Sequence, residues 1–206
     1  MSTESISSER SYAPTKGLAW LMIGLGFLGW IAAFALTLER FHVAANPNDS
    51  LSCDLNIFIS CKSVMLTAQA KLFGFPNPLI GLSAFVAPII VGFGVLAGAK
   101  FAEWFWRMFM AGLSLGFLFV LWLSSQSIFV INVLCPYCIV AWAAMIPLFW
   151  HVLLWMLKED IIHGPASWAG FFDAAYRRAW IFPLATELLL TTLVIIQFWS
   201  LWPTMF

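Results

Sequence analysis

Two cysteines stand three positions apart in the stretch NVLCPYCIVAW, residues 132–142. A helix that begins near Cys135 would direct its positive dipole end and its unpaired N–H groups at the sulfurs, which favours a thiolate. Pro136 suits the first turn of such a helix, because its missing N–H costs nothing there. The spacing also places Cys135 and Cys138 on one helical face, close enough for an exchangeable disulfide. This pair therefore indicates redox chemistry.

The chain has two further cysteines, Cys53 and Cys61, with seven residues between them. Structural disulfides and a zinc site are the alternatives for the four thiols, since C-x₂-C is a common pair of zinc ligands. No histidine lies beside either pair in the sequence, so we expect no metal. The sequence also has no C-x-x-C-H motif, which excludes covalent haem attachment.

The composition indicates that these thiols belong to a membrane protein. Of the 206 residues, 62% are hydrophobic and 10% are charged, and the mean hydropathy is +0.91. Soluble domains are only about half apolar. The formal net charge is zero, and without a basic block nucleic acid is not an expected partner. Five apolar runs are long enough to cross a hydrocarbon core of about 30 Å as helices, namely 17–38, 79–97, 105–129, 135–157 and 179–201.

We therefore predict an all-α polytopic membrane protein with a four-helix transmembrane bundle plus a fifth transmembrane helix. Residues 1–16 form a polar cytoplasmic tail, and residues 17–157 form the bundle. The bundle includes an external cysteine loop, 40–75, with a short helix near 63–72. Residues 158–178 are predicted as a cytoplasmic loop with an amphipathic helix at the membrane interface. The fifth transmembrane helix and the C-terminus occupy 179–206.

The basic residues predict the orientation. With the N-terminus inside, seven of the ten fall on the cytoplasmic side (Arg10, Lys16, Lys100, Arg107, Lys158, Arg177, Arg178) and three outside (Arg40, Lys62, Lys71). The positive-inside rule favours this arrangement. All four cysteines then lie on the external face, where disulfides persist.

Two cysteine pairs on one face suggest a relay. A pair in an external loop can meet the thiol of a soluble protein, while a pair at the membrane surface can meet an oxidant dissolved in lipid. Thiol–disulfide exchange carries electrons between them through mixed disulfides. A quinone suits the acceptor, because it takes two electrons from within the bilayer.

A longer pattern surrounds the cysteines. The stretch CDLNIFISCKSVMLTAQAKLFGFPNPLIGL, residues 53–82, together with CPYC, resembles the vitamin K epoxide reductase family, most closely its bacterial members. The resemblance covers roughly residues 17–157. It implies a membrane thiol oxidoreductase of the bacterial cytoplasmic membrane. Such an enzyme couples quinone reduction to disulfide formation in exported proteins, and here the quinone is of the vitamin K, menaquinone or ubiquinone type.

The resemblance also implies an electron path. A reduced thioredoxin-like protein would attack a Cys53–Cys61 disulfide at Cys53. Cys61 would then attack Cys135 of a Cys135–Cys138 disulfide, through a transient Cys61–Cys135 bond, and Cys138 would face the quinone. Lys62 is either an aid to the Cys61 thiolate or a solvated loop lysine.

Several further residues are expected near the quinone. By resemblance, Asn77 donates a hydrogen bond to a quinone carbonyl, although it could instead cap a helix. The hydroxyl of Thr67 is expected near the reactive sulfurs, or simply on a helix surface. Met65, Ile80 and Trp142 complete the expected quinone site.

The sequence also departs from the family. Trp142 stands where the vertebrate enzymes have a tyrosine, which puts direct epoxide reduction in doubt. Many bacterial members carry a thioredoxin-like domain after the fifth helix. This sequence stops at Phe206, so we expect a separate, DsbA-like partner. A DsbB-type thiol oxidase is the alternative enzyme, and a membrane scaffold braced by external disulfides is the alternative outside enzymes.

Two other features lead to weaker functional predictions. GLGFLG, residues 24–29, matches a dinucleotide-binding motif but lies inside a predicted membrane helix, so close helix packing explains it better. Glu187 is an acidic residue within the fifth span, and we expect it to serve packing, or to be protonated, rather than to act in catalysis.

Overall fold

The computed structural model describes residues 10–163 and 168–199, which are predominantly helical. Five helical stretches are long and apolar enough to cross a membrane, which confirms the predicted fold class. The helices are α1 (Lys16–Ala45), α2 (Cys61–Met65), α3 (Pro78–Ala84), α4 (Val86–Leu96), α5 (Glu103–Gln126), α6 (Pro136–Lys158), α7 (Ala169–Arg177) and α8 (Ile181–Phe198).

Helices α1 and α6 form the centre of the bundle. Helix α1 packs against α6, α3 and α4, while α6 also packs against α5, α7 and α8. The main core consists of apolar side chains from α1, α4, α5 and α6, and the most deeply buried include Met22, Trp106, Ile146, Leu148, Val152 and Met156. Outward-facing apolar residues such as Ile31, Leu115 and Leu188 are exposed, as expected where lipid covers the surface.

The second membrane span is divided at Phe85, where α3 ends and α4 begins. Proline explains the break, because Pro88 has no N–H to donate to the carbonyl of Ala84 and its ring crowds that carbonyl. Together the two helices cover Pro78–Leu96, close to the predicted 79–97.

Small residues bring α1 close to the second span. A Cβ atom on Gly29 would lie 2.3 Å from the ring of Phe85, and one on Gly26 would lie 2.7 Å from Ile89. By contrast, a Cβ on Gly24 would meet no atom within 4 Å. The motif at 24–29 therefore serves helix packing, as predicted.

The ends of the bundle differ from the prediction in detail. Ser11–Tyr12 forms a short antiparallel strand (β1) with Phe101–Ala102 (β2), and the indole N–H of Trp106 donates to the carbonyl of Tyr12. Residues 10–15 are thus held by the bundle, whereas the prediction treats 1–16 as one polar tail. Residues 1–9 lie outside the described residues.

The segment between the fourth and fifth spans contains α7, within the predicted interfacial stretch. Ala175 of α7 is buried in a cluster with Leu154 and Ala179, while Phe171 and Trp168 are exposed. Asp173 and Arg177 form an ion pair at 2.9 Å. One side of α7 therefore packs on the bundle, and a second, aromatic side faces outward.

Candidate active site

All four cysteines lie at one end of the bundle, here called the cysteine end. Cys53 lies in the long loop after α1, Cys61 begins α2, and Cys135 immediately precedes α6, whose first turn contains Cys138. Cys61 and Cys135 are fully buried, Cys53 is 5% exposed and Cys138 is half-buried. The four side chains share one small cluster with Leu36, Val43, Leu51 and Met65.

Backbone hydrogen bonds align the loop with the segment before α6. Leu134 N donates to the carbonyl of Phe58 at 2.8 Å, and Ser60 N donates to the carbonyl of Leu134 at 2.9 Å. These bonds form a parallel bridge that ends one residue before each of the two buried cysteines. As a result, the Sγ atoms of Cys61 and Cys135 lie 3.4 Å apart. That is a distance at which two bound groups can react.

The structure holds a Cys53–Cys61 disulfide, whereas Cys135 and Cys138 are free thiols. The Cys135–Cys138 bond of the prediction is therefore not formed in this structure. CxxC pairs exchange between the dithiol and the disulfide form, so the spacing of the pair does not determine which form is present.

Cys135 occupies the position before the first residue of α6, just outside the membrane span. The pKa of its thiol is lowered, first by a hydrogen bond with the Cys138 side chain and further by the backbone N–H groups of Cys138 and Tyr137. Burial and the nearby charge of Asp54 oppose this shift. The start of the helix thus favours the reactive thiolate at Cys135.

Asp54 organises the loop that carries the disulfide. Its Oδ1 accepts hydrogen bonds from Ser60 Oγ at 2.7 Å and Lys62 N at 3.1 Å, and its Oδ2 accepts one from Leu51 N at 3.0 Å. Burial alone would raise the pKa of Asp54, but these hydrogen bonds and one from Cys61 N outweigh it and hold the pKa below its usual value. Asp54 was not among the predicted site residues, although it directly follows Cys53 in the sequence.

A second set of contacts ties the same loop to the end of α1. Ser52 Oγ donates to the carboxylate of Glu39, and His42 Nε2 lies 3.4 Å from a carboxylate oxygen of Asp49. Lys62 Nζ donates to the carbonyl of Asp49 at 2.8 Å. The ammonium group therefore braces the loop by bonding to a backbone carbonyl rather than to the Cys61 sulfur.

Arg40 makes a further contact that sequence reasoning missed. Its Nη1 donates to the carbonyl of Met65 at 3.0 Å, where α2 ends. A cation is favourable at the negative end of a helix. Arg40 thus fixes α2, and with it Cys61, against α1. The span α1 continues to Ala45, so the predicted loop 40–75 begins later than expected.

An apolar cavity of about 140 Å³ lies beside Cys138. In another protein a cavity of about 150 Å³ accepts benzene, so this space matches a single six-membered ring. Residues from α1, α3, α5, α6 and the loop line it, and they include every member of the predicted quinone site, namely Met65, Asn77, Ile80 and Trp142, as well as Thr67. The structure thus brings together all the residues that the sequence analysis assigned to quinone.

Asn77 is buried and braces the loop that covers the cavity. Its Nδ2 donates to the carbonyl of Gln69 at 2.7 Å, and its Oδ1 accepts from Leu72 N at 3.3 Å. The side chain makes no capping hydrogen bond to α3, so the helix-cap alternative is not realised. An amide carries two N–H donors, so one remains for a ligand.

The hydroxyl of Thr67 bonds to the backbone of its own loop. Its hydroxyl donates to the carbonyl of Val64 at 2.8 Å and accepts from Ala70 N at 3.3 Å. It caps a short 3₁₀ helix, Ala68–Lys71. The predicted helix near 63–72 is therefore two short helices, because the extended backbone of Thr67 ends the first and its hydroxyl begins the second. No hydrogen bond joins Thr67 to a cysteine among the described residues.

Two polar residues that sequence reasoning missed also line the cavity. Gln126 and Ser127 stand where α5 passes into a π-helical turn, Ser127–Ile131. Ser127 is 3% exposed, and its hydroxyl has no hydrogen-bond partner within the described residues; the same is true of the indole N–H of Trp142. The signal was the polar run SSQS, residues 124–127, inside an otherwise apolar span. Such π-helical turns often occur at functional sites.

No group of three metal-binding side chains comes together in residues 10–163 and 168–199. The chemistry available at this end is that of two cysteine pairs beside an apolar cavity with a few hydrogen-bond donors.

Comparison with known families accounts for this arrangement. The family model described as the vitamin K epoxide reductase family matches residues 20–153. This chain belongs to that family. The matched region contains all four cysteines and the whole lining of the cavity, whereas α7 and α8 lie beyond it. No curated protein matches the chain at a significant level.

Membership in the vitamin K epoxide reductase family, with five apolar spans, makes the chain a multi-pass integral membrane protein. The family is one of membrane oxidoreductases that link thiols to quinones, so the chain is a membrane oxidoreductase of that general kind. The alternatives of a DsbB-type oxidase and of a braced scaffold are therefore not favoured.

Proposed function

We propose that this protein oxidises the thiols of a thioredoxin-like partner and passes the electrons to a quinone, so that disulfide bonds form in exported proteins. One observation carries the proposal. Cys61, which is bonded to Cys53, lies 3.4 Å from Cys135, while Cys138 lines the apolar cavity. A continuous series of sulfurs thus leads from the loop to a space fit for a quinone ring.

The electrons move by two exchanges within the protein. After a partner has reduced the loop pair, the Cys61 thiolate attacks Cys135 of an oxidised Cys135–Cys138 pair, and the Cys138 thiolate leaves. Cys53 then attacks Cys61 of the mixed disulfide, which restores the Cys53–Cys61 bond and releases Cys135 as a thiolate. The result is an oxidised loop pair and a reduced Cys135–Cys138 pair. The structure has this distribution of bonds.

The second half of the cycle takes place in the cavity. The Cys135–Cys138 dithiol gives up two electrons and two protons as its disulfide forms, and the quinone becomes a hydroquinone. Because Asn77 and Ser127 line the cavity, we propose that they donate hydrogen bonds to the quinone carbonyl oxygens, while the apolar walls exclude water. A few polar groups in an apolar pocket commonly orient a ligand in this way.

Access for the partner requires the loop to open. Cys53 is only 5% exposed, and the contacts of Glu39, Asp49 and Asp54 hold its loop closed. We propose that the partner's thiol attacks Cys53 after these contacts loosen. The excess of basic residues at the opposite end of the bundle supports an orientation with the cysteine end on the external face of a bacterial cytoplasmic membrane.

The test measures quinone reduction by the purified chain with two electron donors. The donors are a reduced DsbA-like protein and the small dithiol dithiothreitol, with a short-chain ubiquinone or menaquinone as acceptor. Cys138→Ala is expected to abolish quinone reduction with both donors. Cys53→Ala is expected to lose activity with the protein donor but to retain activity with dithiothreitol, which reduces the Cys135–Cys138 pair directly.

Ser125→Ala serves as the matched control, since the Ser125 hydroxyl bonds to the carbonyl of Trp122 and lies outside the cavity lining. If the intact wild-type protein reduces no quinone with either donor, the proposed function is wrong. If Cys53→Ala keeps full activity with the protein donor, the proposed path through the loop is wrong.

A further inference from the structure

The last turn of α8 is packed differently from the rest of that helix. Of its residues, Ile181–Phe198, only Pro183 and Phe198 are buried. Several other apolar side chains, such as Leu188 and Ile196, are exposed to the surroundings of the bundle, while Leu193 and Val194 are partly buried. Phe198 is 2% exposed and is the most deeply buried side chain at the cysteine end of α8.

Phe198 contacts both segments that carry the exchanging cysteines. Its ring meets the ring of Phe58 edge to face, with centroids 6.3 Å apart and an interplanar angle of 81°. It also belongs to a buried cluster with Leu134 and Ile128. Phe58 lies in the disulfide loop, and Leu134 directly precedes Cys135.

The two residues that Phe198 contacts, Phe58 and Leu134, also align the segment of Cys61 with the segment of Cys135. Phe58 and Leu134 are joined by the 2.8 Å hydrogen bond from Leu134 N to the Phe58 carbonyl, which begins the bridge between the two segments. Phe58 lies three residues before Cys61 in the sequence, and Leu134 lies one residue before Cys135. Phe198 therefore packs on the backbone bridge that brings the Sγ atoms of Cys61 and Cys135 to 3.4 Å from each other.

Gln197 adds a polar contact to the same segment. Its Nε2 donates to Oδ1 of Asn132 at 2.9 Å. Asn132 has a left-handed backbone, φ 54° and ψ 34°, which few residues other than glycine adopt readily. This conformation ends the π-helical turn and directs the chain towards Leu134. The hydrogen bond from Gln197 thus stabilises the backbone turn at Asn132, which determines the position of Cys135.

We propose that the last turn of α8 is a positioning element for the thiol exchange, with Phe198 as its main residue and Gln197 as its second. Together they hold 58–60 and 132–134 in register, so that Cys61 and Cys135 stay at reacting distance. The inference rests on the proposed electron path. It assigns a role to a helix that lies outside the matched family region, which ends at residue 153.

The test measures the Cys61–Cys135 disulfide itself, without quinone. Full-length protein carrying Cys53→Ala and Cys138→Ala retains only these two cysteines. The protein is equilibrated in buffers with different ratios of reduced to oxidised glutathione. The fraction of protein with the Cys61–Cys135 disulfide then gives the effective concentration of one thiol relative to the other. Misplacement by about 1 Å can cost about a hundredfold in a bound reaction. We expect Phe198→Ala to lower the effective concentration about 10- to 100-fold and Gln197→Leu to lower it about fivefold.

Two comparisons distinguish positioning from general damage. Ile196→Ala, an exposed residue of the same turn, is expected to leave the effective concentration unchanged, and Phe198→Leu is expected to recover most of it. With all four cysteines present, Phe198→Ala is expected to slow quinone reduction by the protein donor but not by dithiothreitol.

The inference is overturned if Phe198→Ala leaves the effective concentration at the parent value, or if Ile196→Ala lowers it equally. It is also overturned if Phe198→Ala slows quinone reduction by the protein donor and by dithiothreitol to the same degree. Because the glutathione equilibrium needs no quinone, it can succeed or fail independently of quinone reduction by the wild-type protein.

Discussion

Asp54 and Ser60 join the two ends of the disulfide loop: the Ser60 hydroxyl donates to Asp54 Oδ1 at 2.7 Å. Ser60 in turn caps α2 by accepting a hydrogen bond from Ser63 N at 3.1 Å. Asp54 follows Cys53 and Ser60 precedes Cys61, so this contact closes the loop independently of the disulfide. The shape of the loop therefore does not depend on the Cys53–Cys61 bond alone.

Asp54→Asn is expected to loosen the loop. The variant keeps one acceptor oxygen but loses the charge that strengthens its hydrogen bonds, and each such bond contributes about 1.5–3 kcal/mol. We expect Cys53–Cys61 to be reduced about tenfold faster by a water-soluble phosphine, since tenfold corresponds to about 1.4 kcal/mol. Unchanged reduction would show that Asp54 does not hold the loop closed.

The same carboxylate predicts a pH dependence. Because the folded-state pKa of Asp54 lies below its unfolded value, the stabilisation is fully present above about pH 4 and is lost as the pH falls through the lowered folded-state pKa. Phosphine reduction of the wild-type loop should therefore accelerate below about pH 4, and this acceleration should be smaller in the Asp54→Asn variant, which keeps only the loop contacts of Glu39 and Asp49. Asp173→Asn, far along the chain in an exposed ion pair, should behave as the wild type.

Ser127→Ala tests the second donor of the cavity. The Ser127 hydroxyl lacks a partner within the described residues, so its removal leaves no protein group unsatisfied. A net hydrogen bond contributes about 1 kcal/mol, so we expect the KM for the quinone to rise about fivefold with the folding stability unchanged. Steady-state kinetics with dithiothreitol as donor give the value. A KM equal to that of Ser125→Ala would rule out a contact between Ser127 and the quinone.

The membrane spans were predictable because apolar run length decides them. All five observed spans overlap the predicted runs, and only their ends differ, for example α1, which continues to Ala45. That extension could not be seen, because Glu39, Arg40 and His42 interrupt the apolar run after Leu38, yet these residues remain helical. The break at Phe85 was readable in principle from Pro88.

The residues that line the cavity were predictable from the sequence, but the hydrogen bonds that they make were not. The resemblance to the vitamin K epoxide reductase family predicts which residues approach the cavity, and Met65, Asn77, Ile80 and Trp142 all line it. The hydroxyl of Thr67, however, has two backbone partners within three residues, and such local bonds outcompete a more distant thiol. Contacts between distant segments, such as that of Gln197 with Asn132, leave no periodic signal in a single sequence.

Gly29→Ala tests whether helix packing shapes the cavity. A Cβ at this position would lie 2.3 Å from the ring of Phe85, which itself lines the cavity, so the ring must move. Overpacking of this kind costs about 1–3 kcal/mol. We therefore expect a lower unfolding temperature and a raised quinone KM, both measured on the purified protein. Gly24→Ala is the matched control, because its Cβ would meet no atom within 4 Å, and it should change neither quantity. If Gly29→Ala behaves like Gly24→Ala, Phe85 moves freely and does not define the quinone pocket.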